Sequence, residues 1–201
     1  MGLILGSIGR GARALWANTK RIILGKDTRR KSLIHYNPVE LDTSNLNVTP
    51  LDDFGTMGVT EFSADIKKWR LEVGGDVETP LRFTYEEILS MPSIERKVLL
   101  ICPGVFANHG NWKGISIARL LHMAGIKEVL THVEVRGPDA SRQKVVKYAA
   151  ADILTDKVFL AYAVNGRTLP QKHGFPLRIV AEDYFGYDWV KYAYSVKALR
   201  T

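Results

Sequence analysis

Cys102 is the single cysteine among 201 residues. It ends the apolar run 98–101, which reads as a buried strand, and it opens a stretch of small and polar residues. Three chemistries are open to a thiol in that place. It can be a small buried hydrophobe, an activated nucleophile or a soft ligand for a metal. A nucleophile would need a base, and His109, His122, His132 and His173 are the candidates. None stands at a spacing that marks a known cysteine–histidine pair.

A second cluster lies between residues 165 and 191. Asn165-Gly166 and the run from Leu169 to Pro176 bracket a strand that carries Arg178. The loop holding Tyr187, Trp189 and Val190 then delivers Lys191. A guanidinium, an ammonium and loop amides arriving together suit a phosphate or another anion. The alternative is scattered surface charge.

These groups need elements to hold them. Alternation of Trp69, Leu71 and Val73 with Arg70 and Glu72 predicts a strand that Gly74-Gly75 stops. Thr84 with Glu87 three residues later predicts a capped helix. Ser116 is expected to cap another, with Gly125 closing it. A loop is expected from Pro103 to Gly114. Further strands are expected at 132–136, 158–164, 176–181 and 189–197, with a short helix at 149–155. Residues 32–65 read as an extended lead-in. Helices and strands do not alternate regularly, so the expected fold class is α+β: one strand-rich mixed domain rather than a doubly wound sheet.

The chain carries 28 basic and 21 acidic residues, a net charge of +7. Residues 1–31 hold eight of the basic residues and only Asp27 of the acidic ones, and the remaining 170 residues balance to zero. The expected organisation is therefore a basic arm, 1–34, and a neutral body, 35–201. A neutral body does not fit a nucleic-acid binder. Residues 5–24 read as an amphipathic helix: Leu5, Ile8, Leu15, Trp16, Ile22 and Ile23 share one face, and Arg10, Arg13, Lys20 and Arg21 the other. Such an arm, taken as residues 1–31, suits a membrane surface, a partner protein or the chain's own body. Arg29-Arg30 resembles a twin-arginine signal, but no apolar segment follows it. The expected location is cytoplasmic, with membrane association through the arm; export is expected only where a leader has already been removed. A lone cysteine excludes a disulfide framework and a multi-cysteine zinc or iron–sulfur site.

With Cys102 and the 165–191 cluster in view, the chain resembles the molybdopterin-binding domain of the sulfite oxidase family. The resemblance covers roughly residues 45–199. It runs through Thr49-Pro50 with Phe54, then Trp69 to Gly75 with Pro80-Leu81, then Cys102 followed by Trp112-Lys113-Gly114. It ends in Asn165-Gly166, Leu169-Pro170, His173-Gly174, Pro176 and Arg178, leading to Gly186 and Lys191. The resemblance implies a molybdenum cofactor, with Cys102 as the catalytic thiolate ligand of the metal. It implies that His173 and Arg178 contact the pterin and its phosphate, and that Trp189-Val190-Lys191 grips the phosphate. Asp52, Gly55, Thr56 and Gly137 align with further cofactor contacts. Asn108, His109 and Tyr187 are candidates for lining the substrate pocket. The implied reaction is oxygen-atom transfer to or from a small or protein-borne S- or N-oxide, with a separate electron-transfer partner.

The family's sulfite oxidases carry an arginine three residues after the lead-in phenylalanine, and here that position is Met57. A thioether does not replace a bidentate anion clamp, which speaks against sulfite as substrate. In compactness the chain is similar to the methionine sulfoxide-reducing subunit of the family. Two other expectations stay open at the level of sequence: a cofactor-free interaction module docking through the basic arm, and a thiol-dependent hydrolase or redox enzyme using Cys102 with a histidine.

Overall fold

The computed structural model describes residues 21–126, 130–138 and 144–200. The greater part of the helix expected over 5–24 lies outside these residues. Its last described part is not helical: β1 (Ile22–Ile23) pairs in parallel with β2 (Leu41–Asp42). Leu24 and Leu33, the latter in α1 (Arg30–Leu33), are buried against Leu41, Leu46, Leu99 and Ile101. Burying each such side chain contributes about 1.5–3 kcal/mol. That gain outweighs keeping 21–34 as a free amphipathic segment, and Arg21 adds an ion pair to Asp183 at 2.8 Å.

Two five-stranded sheets build the body. In one, β3 (Leu71–Gly75) lies between the hairpin partner β4 (Leu81–Phe83) and β12 (Ser195–Leu199). Beyond β12 come β7 (His132–Arg136) and β8 (Val145–Ala149). The other joins β5 (Ile94–Cys102), β6 (Phe106–Ile115) and β9 (Val158–Val164), with β10 (Arg167–Thr168) and β11 (Arg178–Ala181) both paired to β9. Helix α2 (Tyr85–Ser90) starts at the expected capping box, Thr84 with Glu87. Helix α3 (Ile117–Met123), capped by the Ser116 hydroxyl, touches β3 and β9 and so joins the two sheets. Helix α4 (Ala150–Leu154) packs on it. The strand-rich mixed fold expected from the sequence is the one observed.

Two local expectations need correction. The stretch 103–114 is mostly strand: β5 and β6 form a long hairpin in which Cys102 pairs with Phe106 across the turn Pro103-Gly104-Val105. Gly104 supplies the positive φ the turn requires, 72°. β6 is largely buried, so its sequence lacks the in-out alternation that marks a half-exposed strand. The strand expected over 189–197 is regular only from Ser195. Residues 190–193 still run along β11, because Ile179 N–H donates to the Val190 carbonyl and Ala193 N–H to that of Leu177.

Strand alternation decides what meets the site. On β5, Val98, Leu100 and Cys102 share one face, while Leu99 and Ile101 face the N-terminal segment. On β6 the same rule separates Asn108 from His109.

Candidate functional site

A cavity of about 360 Å³ opens where β5 and β7 end and where β6, β8 and β11 begin. Eleven of the thirteen residues proposed from the sequence line it. They are Cys102, Gly55, Thr56, Asn108, Gly137, His173, Arg178, Tyr187, Trp189, Val190 and Lys191.

Two do not. Asp52 is exposed and lies 3.5 Å from Arg167 on β10. His109 is wholly buried on the opposite face of β6, where its Nδ1 lies 3.3 Å from the Asn47 carbonyl. Burial lowers its pKa. A histidine directed away from Cys102 cannot serve it as a base.

Arg178 is the site's most unusual group. It is 6% exposed, and among the described residues no carboxylate pairs with it. Its guanidinium lies over Trp112 at 5.1 Å and Trp189 at 5.4 Å, and one N–H donates to the His173 carbonyl at 2.9 Å. Burial lowers its pKa to about 10. Cation–π contacts of this kind contribute about 0.5–2 kcal/mol each, which offsets only part of the cost of burying a charge. The remaining demand is for an anion.

His173 stands beside it, 2% exposed, with an edge-on contact to Phe54 at 5.7 Å. Its Nε2 is buried and has no hydrogen-bond partner. Burial first, then the charges of Arg178, Lys172 and Lys191, push its pKa down to about 4, so the ring is neutral at pH 7. Gly174 next to it has φ 114°, and a Cβ there would meet the Lys191 carbonyl at 2.3 Å. Only glycine lets the 171–174 turn and the Lys191 backbone approach so closely.

Lys191 donates to Thr56 Oγ1 at 3.0 Å and to the carbonyls of Met57 at 2.8 Å and Val59 at 3.0 Å. An ammonium has three N–H donors, so all are engaged. Burial, Arg178 and Lys144 lower its pKa to about 8. The Tyr192 hydroxyl also donates to the Val59 carbonyl, at 3.1 Å. Residues 55–59 thus form a strap tied across the cavity. Its first residue must be small, because a Cβ on Gly55 would meet the Phe106 ring at 2.4 Å.

Cys102 lies at the floor of the same cavity, buried and free of any disulfide. Burial raises its thiol pKa, and the charge of Lys144 opposes that rise. Lys144, at the entry to β8, donates to the Tyr187 carbonyl and lines the cavity. Sequence reading missed it because nothing in 139–147 sets one lysine apart from its neighbours; only folding brings it to Cys102. Phe106 and Tyr192 were missed for the same reason, whereas strand alternation from Cys102 could have found Leu100.

The donor set can be tested against a molybdenum–pterin cofactor. Among the described residues no three His, Cys, Asp or Glu side chains gather to hold a metal ion. A metal at Cys102 would therefore bring most of its ligands with it, as a dithiolene-bound metal does. The anion demand of Arg178, the orphaned His173 Nε2 and the soft thiol lie on one cavity large enough for a substantial ligand. The residues fit the group.

Comparison with known proteins agrees. The family described as the oxidoreductase molybdopterin binding domain matches residues 57–201. The uncharacterized oxidoreductase YuiH of Bacillus subtilis is 31% identical over 135 residues, which is 67% of each chain. An NADH nitrate reductase of Volvox carteri is 30% identical over 61% of this chain and 18% of its own. The protein-methionine-sulfoxide reductase catalytic subunit MsrP of Gluconobacter oxydans is 28% identical over 65% of this chain and 47% of its own. Among solved structures, the sulfane dehydrogenase SoxCD of Paracoccus pantotrophus superposes with a TM-score of 0.66 at 22% identity. That match covers 97% of this chain and 56% of the other, and it shows a shared fold. The chain spans two thirds of YuiH and less than half of the nitrate reductase and of MsrP. Family match and fold together make this chain an oxidoreductase that belongs to the molybdopterin-binding domain family.

Proposed function

We propose that the chain holds a phosphate-bearing molybdopterin, with its molybdenum bound by the Cys102 thiolate. We further propose that it transfers an oxygen atom to or from an S- or N-oxide substrate. The single observation that carries this reading is Arg178, a buried guanidinium without a carboxylate, on the same cavity as the chain's only thiol.

Each residue then has a task. Burial disfavours a bare Cys102 thiolate, so the thiol stays protonated until a metal replaces the proton. Arg178 supplies the buried positive charge for the phosphate, its guanidinium lying against two indoles that also contact each other. Lys191 reaches the same region, and it must exchange at least one strap oxygen for a phosphate oxygen. Neutral His173 presents Nε2 to the pterin as donor or acceptor, according to its tautomer. Asn108 fixes the strap, and Lys144 balances the charge beside Cys102. When bound, the cofactor supplies the two-electron exchange that moves the oxygen atom. A separate one-electron partner exchanges those electrons, and the basic stretch 1–31 is the surface we assign to docking it or a membrane. We place the protein in the cytoplasm.

Protein produced in a molybdate-fed host should contain close to equimolar molybdenum and cofactor phosphorus. Arg178→Met should lose both. Protein free of molybdenum after such production contradicts the proposal.

A further inference from the structure

Resting on the docking role proposed above for residues 1–31, we infer that the partner is a lipid surface with anionic headgroups, and that the ribbon Ile22-Ile23 is the part that enters it. β1 is held at both ends. Before it, Arg21 pairs with Asp183 at 2.8 Å. After it, Leu24 is buried in the cluster with Leu33, Leu99 and Ile101. Between these anchors Ile22 and Ile23 stay 50% and 67% exposed. Successive strand residues point to opposite faces, so neither face of the ribbon is covered. Among the described residues no strand pairs with the outer edge of β1. One exposed isoleucine is ordinary. Two in succession, fixed outward by a buried neighbour, keep apolar surface in water that nothing in the described chain covers.

The charges beside the ribbon point to the same partner. Lys26, Arg29 and Lys31 are exposed, and Arg30 is half-buried. Among the described residues no carboxylate pairs with any of the four. Asp27, the acid between them, instead accepts a hydrogen bond from Asn47 Nδ2 at 3.2 Å. Unpaired cations beside exposed apolar side chains match a membrane interface, where the cations meet lipid phosphates and the apolar groups enter the acyl boundary. The sequence before the ribbon has the same composition: Leu15 and Trp16 stand among Arg10, Arg13 and Lys20, with no acidic residue in 1–20. A protein patch covers one face of a protruding ribbon. A fluid interface covers both and needs no matching shape.

The placement suits an enzyme that works while docked. The ribbon belongs to the segment that packs on Leu99 and Ile101, whereas Leu100 and Cys102 line the cavity from the other face of β5. Docking through the ribbon therefore covers no residue that lines the cavity.

The test uses the full chain from a molybdate-fed host, with molybdenum measured in every sample. In sedimentation, vesicles of equal parts phosphatidylcholine and phosphatidylglycerol should bind the wild type about tenfold or more tighter than vesicles of phosphatidylcholine alone. About 1 M salt, which cuts the Debye length to about 3 Å, should remove most of that difference. Ile22→Thr with Ile23→Thr keeps the β-branched shape and should weaken partitioning about tenfold. Arg29→Gln with Lys31→Gln should also weaken it about tenfold. A melting temperature near that of the wild type shows that a variant folds, and either pair tests the surface if the other does not. A wild type that binds neither vesicle overturns the lipid assignment and leaves docking to a protein partner. Equal binding to both vesicles, or unchanged binding in either folded variant, overturns it as well. Protein that binds the anionic vesicles but holds no molybdenum overturns the cofactor reading alone.

Discussion

Asn108 grips Gly55 through both main-chain groups: Gly55 N–H donates to Asn108 Oδ1 at 3.0 Å, and Asn108 Nδ2 donates to the Gly55 carbonyl at 2.8 Å. One side chain on β6 thereby fixes the start of the strap that Lys191 and Tyr192 fix at its other end. Leaving both groups of Gly55 unpaired costs about 1–3 kcal/mol for each buried group. Asn108→Ala should lower the melting temperature and speed proteolysis within 55–62, while Asn108→Asp, which keeps one acceptor, should do less. Equal proteolysis of wild type and Asn108→Ala would contradict the strap.

Inorganic phosphate should stabilise the cofactor-free protein through Arg178. A ligand that binds only the native state adds RT ln(1 + [L]/Kd) to stability, about 2.7 kcal/mol at a hundredfold excess over Kd. Calorimetric melting with rising phosphate should shift the wild type upward and leave Arg178→Met in place. The same ionic strength in chloride should not reproduce the shift.

His173 should make stability fall in acid. Its folded pKa is about 4, against 6.5 when unfolded. Well above pH 6.5 both states are neutral and the group contributes nothing. Between 6.5 and 4 the unfolded chain takes up a proton that the folded one refuses, so stability declines as pH falls through that window. Below about 4 both forms are protonated and the loss levels off. Urea unfolding at intervals from pH 7 to 4 should show a shallower decline in His173→Phe. His109, also lowered by burial, keeps its own share in both proteins.

Gly174→Ala should be destabilising by about 1–3 kcal/mol from its left-handed backbone alone, with the contact to the Lys191 carbonyl adding to that. Gly137→Ala, where a Cβ would stand 3.3 Å from the Tyr192 carbonyl, should cost less. Thermal unfolding of the two variants checks the order.

Much of this was legible in the sequence, and the limits have physical causes. Capping residues marked α2 and α3 because Thr84 and Ser116 act on their immediate neighbours. Cys102 was legible as a strand end. The resemblance brought out His173, Arg178 and Lys191, which turn chemistry alone left beside scattered surface charge. β6 was not legible, since polar Asn108, His109 and Asn111 occupy a mostly buried strand, and their side-chain partners at Gly55, Asn47 and Glu95 lie on other segments. Lys144 and the strap contacts of Lys191 depend on residues far apart in the chain, which no local pattern encodes. Asp52 came from the resemblance and His109 as a candidate for lining the pocket, and their side chains turn to Arg167 and Asn47 instead.

The central claim is that the chain's one thiol holds the metal. X-ray absorption at the molybdenum edge, on wild type and Cys102→Ser from the same molybdate-fed host, tests it most directly. The account predicts that the sulfur shell around molybdenum shrinks by one neighbour in Cys102→Ser, with an oxygen taking its place or the metal lost. An unchanged sulfur shell at unchanged metal content would contradict it.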